Sequence, residues 1–160
     1  MVKKATSFMK KDGAGYIKVW KSKQDGYTRQ KQLWATRHLL VLDSFDFDLP
    51  PGSYLYDSEA GLIKPGEIPD LKRAIPKLRG YRKAQPVMEY SYLKLLQVDS
   101  CLLITFKGRG VQAFVNYEYY QYLCQTKAEH TWKVKAEDQA VLLYQGKTLA
   151  AVVMPRRLET

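Results

Sequence analysis

Apolar and polar positions alternate along much of this chain, and the alternation names most of its elements. Alternation over Tyr16–Trp20 predicts a strand, Asp25-Gly26 a turn, and a second strand runs from about Leu33 to Phe45. The stretch "LPPGSYLYDSEAGLIKPG" is rich in turn residues, with short strands expected at Ser53–Tyr56 and Ala60–Ile63. Pro69, Pro76 and Pro86 oppose any long helix in the basic connector that follows, because proline lacks the amide donor and clashes with the preceding turn. A strand is expected at Val87–Ser91, and "SYLKLLQVD" (Ser91–Asp99) reads as a short helix with Leu93 and Leu96 on one side.

The remainder is read more sharply. "CLLITFKGRGVQAFV" is a hairpin, two apolar runs joined by Lys107-Gly108-Arg109-Gly110. A helix over "NYEYYQYLCQTK" follows, with Asn116 supplying the cap. "HTWKVKAED", "AVLLYQG" and "KTLAAVVMP" then spell three strands, with tight turns at Glu137-Asp138 and Gln145-Gly146-Lys147. The order strand–helix–strand–strand–strand implies an α+β fold, mainly an antiparallel sheet with two short helices. Residues 1–15 are expected to be a flexible basic arm and 16–160 a single domain, with a sub-boundary in the Pro-rich connector 64–86.

Composition narrows the class. A chain of 160 residues, 46% of them hydrophobic, can bury a core without staples. The start, "MVKKATSFMKKDG", has no apolar segment of the signal-peptide kind, and no apolar run approaches the ~20 residues of a membrane span. Cys101 and Cys124 have no metal-ligand spacing and suit a reducing cytoplasm. They read as two small buried hydrophobes, a Cys101–Cys124 pair staying open as the alternative.

Charge adds a partner. A net +10 favours a polyanion, either nucleic acid or an acidic membrane surface. The cations cluster from Lys3 to Arg37, with Arg29, Lys31 and Arg37 closing that run, and again between Lys64 and Lys83. Between the two clusters, "LDSFDFDLPPGSYLYDSE" is purely acidic. Candidate nucleic-acid contacts are therefore Lys3, Lys4, Lys10, Lys11, Lys18, Lys21, Lys23, Lys72, Lys77, Arg79, Arg82 and Lys83. The plain alternative is a solvated basic face.

Catalytic chemistry finds little footing. Gly146-Lys147-Thr148 looks like the tail of a phosphate-binding loop, but the glycine required five residues earlier is Val141, inside a strand. Asp43, Asp46 and Asp48 could bind a divalent metal as in a nuclease, the least favoured reading. His38 and His130 have no partner at a triad or ligand spacing and read as structural or surface residues. Tyr117, Tyr119, Tyr120 and Tyr122 crowd one helix, where bases could stack on them, although rings packing with their hydroxyls in water is the commoner use. No enzyme activity, cofactor or metal is expected.

Two phrases resemble the bacterial sliding clamp, the β subunit of DNA polymerase III. "GEIPDLKRAIPK" (Gly66–Lys77) is similar to the segment linking the clamp's second and third domains, and "AAVVMPRRL" (Ala150–Leu158) to its carboxyl end. "WATRHLLVL" (Trp34–Leu42) and "FVNYEYYQYL" (Phe114–Leu123) are weaker echoes in the same order, and strand–helix–strand–strand–strand is the half-unit of the clamp fold. The resemblance implies a groove for the apolar-aromatic peptide motif of polymerases and clamp loaders. Its residues here would be Thr36, His38, Leu39, Pro69, Arg73, Ala74, Asn116, Tyr119, Val152, Val153, Met154, Pro155 and Arg156. It also implies sequence-independent DNA contact, partners such as a DNA polymerase and self-association for any ring; a phage or mobile element is the expected origin. The expected function is thus a non-enzymatic, cytoplasmic, DNA-associated clamp-like protein with no membrane partner. The alternative is a single-strand nucleic-acid-binding protein using the basic arm and the tyrosine-rich helix.

Overall fold

Antiparallel pairing organises the chain in a computed structural model that describes residues 4–126 and 129–158. The fold is α+β, a mainly antiparallel architecture with two helices. The chain divides after Ala74, inside the connector 64–86, into an amino-terminal and a carboxyl-terminal unit.

The amino-terminal unit holds helix α1 (Ala5–Asp12) and strands β1 (Tyr16–Gln24), β2 (Tyr27–Ala35), β3 (Leu39–Val41), β4 (Gly52–Asp57) and β5 (Leu62–Pro65). Its strands lie in the order β3-β2-β1-β4-β5. The expected flexible arm is corrected here, since residues 5–12 are helical. Ala5, Phe8 and Met9 fall at helical spacing and are all buried, and Gly13 closes the helix in the left-handed conformation that glycine adopts freely. The Phe8 ring stacks on Trp34 with centroids 6.4 Å apart and planes 10° from parallel. Gly15 has to be bare, because a Cβ there would collide with the Met9 side chain.

The strand expected over Leu33–Phe45 is also interrupted. Thr36 N donates to Leu39 O at 2.8 Å, making a tight turn, and only Leu39–Val41 resume the strand. Asp12, at the end of α1, accepts from the Arg37 amide at 3.2 Å and lies 3.1 Å from His38 Nδ1, so the helix braces this turn. The acidic stretch that follows is clasped by polar side chains of the sheet. The buried Gln32 amide donates to Phe47 O and accepts from Phe47 N, at 2.7 and 2.9 Å. Trp34 Nε1 donates to Asp46 Oδ2 at 2.9 Å, and Tyr54 Oη to Pro50 O at 2.6 Å.

The carboxyl-terminal unit contains β6 (Arg82–Pro86), a small hairpin of β7 (Met88–Glu89) and β8 (Tyr92–Leu93), β9 (Leu95–Val98), β10 (Cys101–Gly108), β11 (Val111–Asn116), helix α2 (Tyr117–Thr126), β12 (Thr131–Val134), β13 (Val141–Gln145) and β14 (Thr148–Val153). Its main path is β11-β10-β6-β12-β13-β14, with β9 pairing β10. The helix expected over Ser91–Asp99 does not form. Tyr90-Ser91 and Asp99-Ser100 are turns with positive φ, and Leu95–Val98 pair with Cys101–Ile104 instead. Non-local pairing with β10 outweighs the local Leu93/Leu96 spacing.

Helix α2 forms as expected up to Thr126, its continuation at Lys127 lying outside the described residues, and the Asn116 side chain caps it by accepting from Glu118 N at 2.9 Å. Its buried Tyr119, Tyr122 and Leu123 stand at helical spacing, and Tyr120 joins Phe106 and Trp132 in an aromatic cluster with centroids 4.5–5.8 Å apart. Each unit thus contains a helix followed by three antiparallel strands, α1-β1-β2-β3 and α2-β12-β13-β14. Cys101 and Cys124 are free, half-buried thiols, and burial pushes the Cys124 thiol up. No helix among the described residues is long and apolar enough to cross a membrane.

Because Phe8 is buried against Trp34, Phe8→Ala should cost about 3 kcal/mol of stability, read by urea denaturation; a loose arm would give no change.

Candidate nucleic-acid interface

The carboxyl-terminal unit gathers cations from three distant parts of the chain. In the β6–β12 pair Lys83 stands directly opposite Lys133, so both project from one face, and in the β6–β10 pair Gln85 stands opposite Lys107. The next positions, Ala84 and Trp132, turn to the other face and are buried. Arg109 comes from the β10–β11 turn, where Gly110 takes a positive φ. Tyr81, Arg82, Lys83, Arg109 and Lys133 line one open cavity of about 390 Å³.

The cavity has a fixed frame. Tyr81 Oη donates to Ala140 O at 2.7 Å, anchoring the chain just before Arg82, and burial raises the phenol's pKa. Gly108 lets β10 close on β6, since a Cβ there would come within 3.0 Å of Lys83 O. Lys133 Nζ sits 4.4 Å from the centroid of the Tyr144 ring. Among the described residues, none of Arg82, Lys83, Arg109 and Lys133 enters an ion pair. Like charges directly opposite in a sheet are destabilising, by a few tenths of a kcal/mol upward. The Lys83–Lys133 register is therefore one at which a bound anion between the two side chains would be favoured.

The other charge candidates fall elsewhere. Lys77 and Arg79 are in the carboxyl-terminal unit, on the approach to Arg82, with Arg79 exposed. Lys4 precedes α1, Lys10 and Lys11 lie in its last turn, and Lys21 and Lys23 are exposed on the β1–β2 hairpin. Lys18 and Lys72 share a cavity of about 320 Å³ with Asp70, Pro69 and Leu33. Lys3 lies outside the described residues. Arg109 and Lys133 were missed by sequence reasoning; their only signal was a cation at the polar position of a strand or turn.

The residues that the clamp resemblance marks divide between the units. In the amino-terminal unit Thr36 and Leu39 are buried, His38 is exposed beside Asp12, and Pro69, Arg73 and Ala74 are exposed around the 3-10 turn Leu71–Ala74. In the carboxyl-terminal unit Tyr119, Val152 and Val153 are buried and Asn116 caps α2. Met154, by contrast, is 44% exposed. Pro155 is half-buried, and the Arg156 amide donates to Phe114 O at 2.7 Å. The guanidinium groups of Arg156 and Arg157 each lie 3.4 Å from a carboxylate, of Asp99 and Asp138 respectively.

Of the stacking candidates, Tyr119 and Tyr122 are buried and Tyr120 packs on Phe106 and Trp132, so those rings serve the core. Asp46 accepts from Trp34 and Ser44, and among the described residues no three His, Cys, Asp or Glu side chains gather to hold a metal. No protein-family model, curated protein or solved structure matches the chain.

Lys83→Gln should raise the melting temperature at low salt by about 1–3 °C by removing the repulsion, and should reduce the stabilisation that wild type gains from added pyrophosphate. Thermal unfolding of both proteins with and without the anion checks this.

Proposed function

We propose that this is a non-enzymatic DNA-associated protein that holds the phosphate backbone without reading base sequence. The observation that carries the reading is the cavity lined by Arg82, Lys83, Arg109 and Lys133, with no carboxylate paired to any of them among the described residues. Four cations around one opening match a polyanion, and their work would be electrostatic. Each phosphate neutralised releases condensed counterions, so affinity falls steeply with salt and differs little between sequences. Arginine adds a planar fork suited to phosphate oxygens, which the lysines supplement as point charges.

The test is fluorescence anisotropy with two duplexes of unrelated sequence across a salt series. Wild type should bind both alike, and Lys83→Glu/Lys133→Glu should lower the magnitude of the log–log salt slope by about 2. Unchanged binding by the double variant would remove this face from the interface, and strong sequence preference would overturn the mode of contact.

A second reading, a clamp-like adaptor docking an apolar-aromatic peptide of a polymerase, is favoured by Met154, exposed immediately after the buried end of β14 and followed by Pro155. Methionine offers an adaptable apolar surface of the kind such motifs use. Titration of a labelled clamp-binding peptide should give saturable binding that Met154→Asp weakens at least tenfold; no binding to wild type, or equal binding to the variant, disposes of the adaptor.

A further inference from the structure

The β1–β2 hairpin outruns the sheet it starts from. β4 pairs only with Tyr16–Val19 of β1, and β3 only with Trp34 and Ala35 of β2. From Trp20 to Lys31 the two strands therefore have each other as their only strand neighbours among the described residues. The tip is a tight turn at Asp25-Gly26, φ 51° and 79°, the two positive values that match the twist of a two-residue hairpin. Lys21, Lys23 and every residue from Asp25 to Gln30 are exposed, Tyr27 to 75%. The base of the ribbon is tied to the acidic stretch, Gln30 Nε2 donating to Leu49 O at 2.6 Å; beyond Gln30 it is bare, and because a bare two-stranded ribbon is marginal in water, its length calls for an explanation.

The register supplies one. Lys21 pairs with Gln30 and Lys23 with Thr28, which puts both lysines on one face; Arg29 pairs with Ser22 and Lys31 with Trp20, on the other. Asp25 at the tip is the lone carboxylate between Trp20 and Lys31, and none of the four cations is in an ion pair among the described residues. Charge on both faces suits a slot with anionic walls on both sides. A flat anionic surface, such as a lipid headgroup layer, would meet one face and leave the other in water.

We infer that this ribbon enters the major groove of duplex DNA, with Lys21 and Lys23 directed to one phosphate wall and Arg29 and Lys31 to the other. The inference rests on the reading of the protein as DNA-associated and adds a second contact, in the other unit. The dimensions agree. Five residues of strand reach about 16 Å, and a ribbon turned with its faces to the walls is about 10 Å thick, the distance at which sheets stack face to face, within a groove about 12 Å wide. The deep, narrow major groove of A-form RNA would not admit them. Tyr27, at the tip beside Arg29, would bring an apolar ring to the base edges or sugars at the groove floor.

The experiment compares the full chain with Lys21→Ala/Lys23→Ala/Arg29→Ala and with the charge-retaining Lys21→Arg/Lys23→Arg, far-UV circular dichroism verifying the fold of each. Probes are a mixed-sequence DNA duplex, the same duplex with glucosylated 5-hydroxymethylcytosine, whose sugars occupy the major groove, the equivalent RNA duplex, and vesicles containing phosphatidylserine. Wild type should bind the plain duplex roughly tenfold more tightly than the glucosylated or RNA duplex, while the alanine variant loses that discrimination and a salt slope of about 3, and the arginine variant keeps both. Equal wild-type affinity for plain and glucosylated duplex, or an alanine variant as tight as wild type, overturns the ribbon alone if Lys83→Glu/Lys133→Glu still weakens binding. Vesicle binding that depends on these three residues would assign the ribbon to a membrane surface and overturn it as well. No DNA binding by wild type at all would take the broader reading with it.

Discussion

The carboxyl-terminal unit depends on one short strand being held on both sides. β6 has only five residues, yet it takes β10 on one edge through Pro86 and Gln85, and β12 on the other through Ala84, Lys83 and Arg82. Two constraints make that possible. Gly108 removes a side chain that would strike the Lys83 carbonyl, and Ala84 is small enough to be buried opposite Trp132 of the aromatic cluster. Joining these pieces also fixes the alternation of β6, and alternation alone decides that Ala84 goes inward and Lys83 outward. The placing of Lys83 beside Lys133 is therefore a by-product of how the core is closed, while Arg82, opposite the buried Val134, comes to the opening from the end of the strand. No separate scaffold is needed to bring the two lysines together.

That dependence explains the uneven legibility of the chain. The hairpin around Lys107–Gly110, the helix capped by Asn116 and the three closing strands could be read directly, because each is signalled within a dozen residues by alternation, a cap or a turn. Helix α1 was hidden by its lysines and by having no side-chain cap at Lys4, although the Ala5, Phe8 and Met9 spacing and Gly13 were there to be seen. Ser91–Asp99 misled for the opposite reason: its leucines fit a helix locally, and only a partner strand made it extended. Arg109 and Lys133 had no local signal beyond their own charge, since what brings them to Lys83 is strand order. An expected site built from contiguous charge runs captured Arg82 and Lys83 and could not capture the rest.

The acidic stretch and the basic stretches, conspicuous together in sequence, are treated differently by the fold. Residues 44–50 are tied to the amino-terminal sheet through Gln32, Trp34 and Tyr54, and Asp46 serves as a hydrogen-bond acceptor in that lacing. Asp12 likewise braces the turn at Arg37-His38. Asp46 and Asp12 are thus tied to donors of their own unit, while Lys21, Lys23, Arg82 and Lys83 remain exposed.

The type of turn at Asp25-Gly26 limits how the β1–β2 hairpin can change in evolution. A strand alternates its faces every residue, so one inserted residue in a single strand would rotate every side chain beyond it to the opposite side and scramble the arrangement of Lys21, Lys23, Arg29 and Lys31. Adding two residues to each strand keeps the arrangement and extends the reach by about 7 Å. Homologues should accordingly differ in hairpin length by matched, even increments, with the glycine of the turn retained.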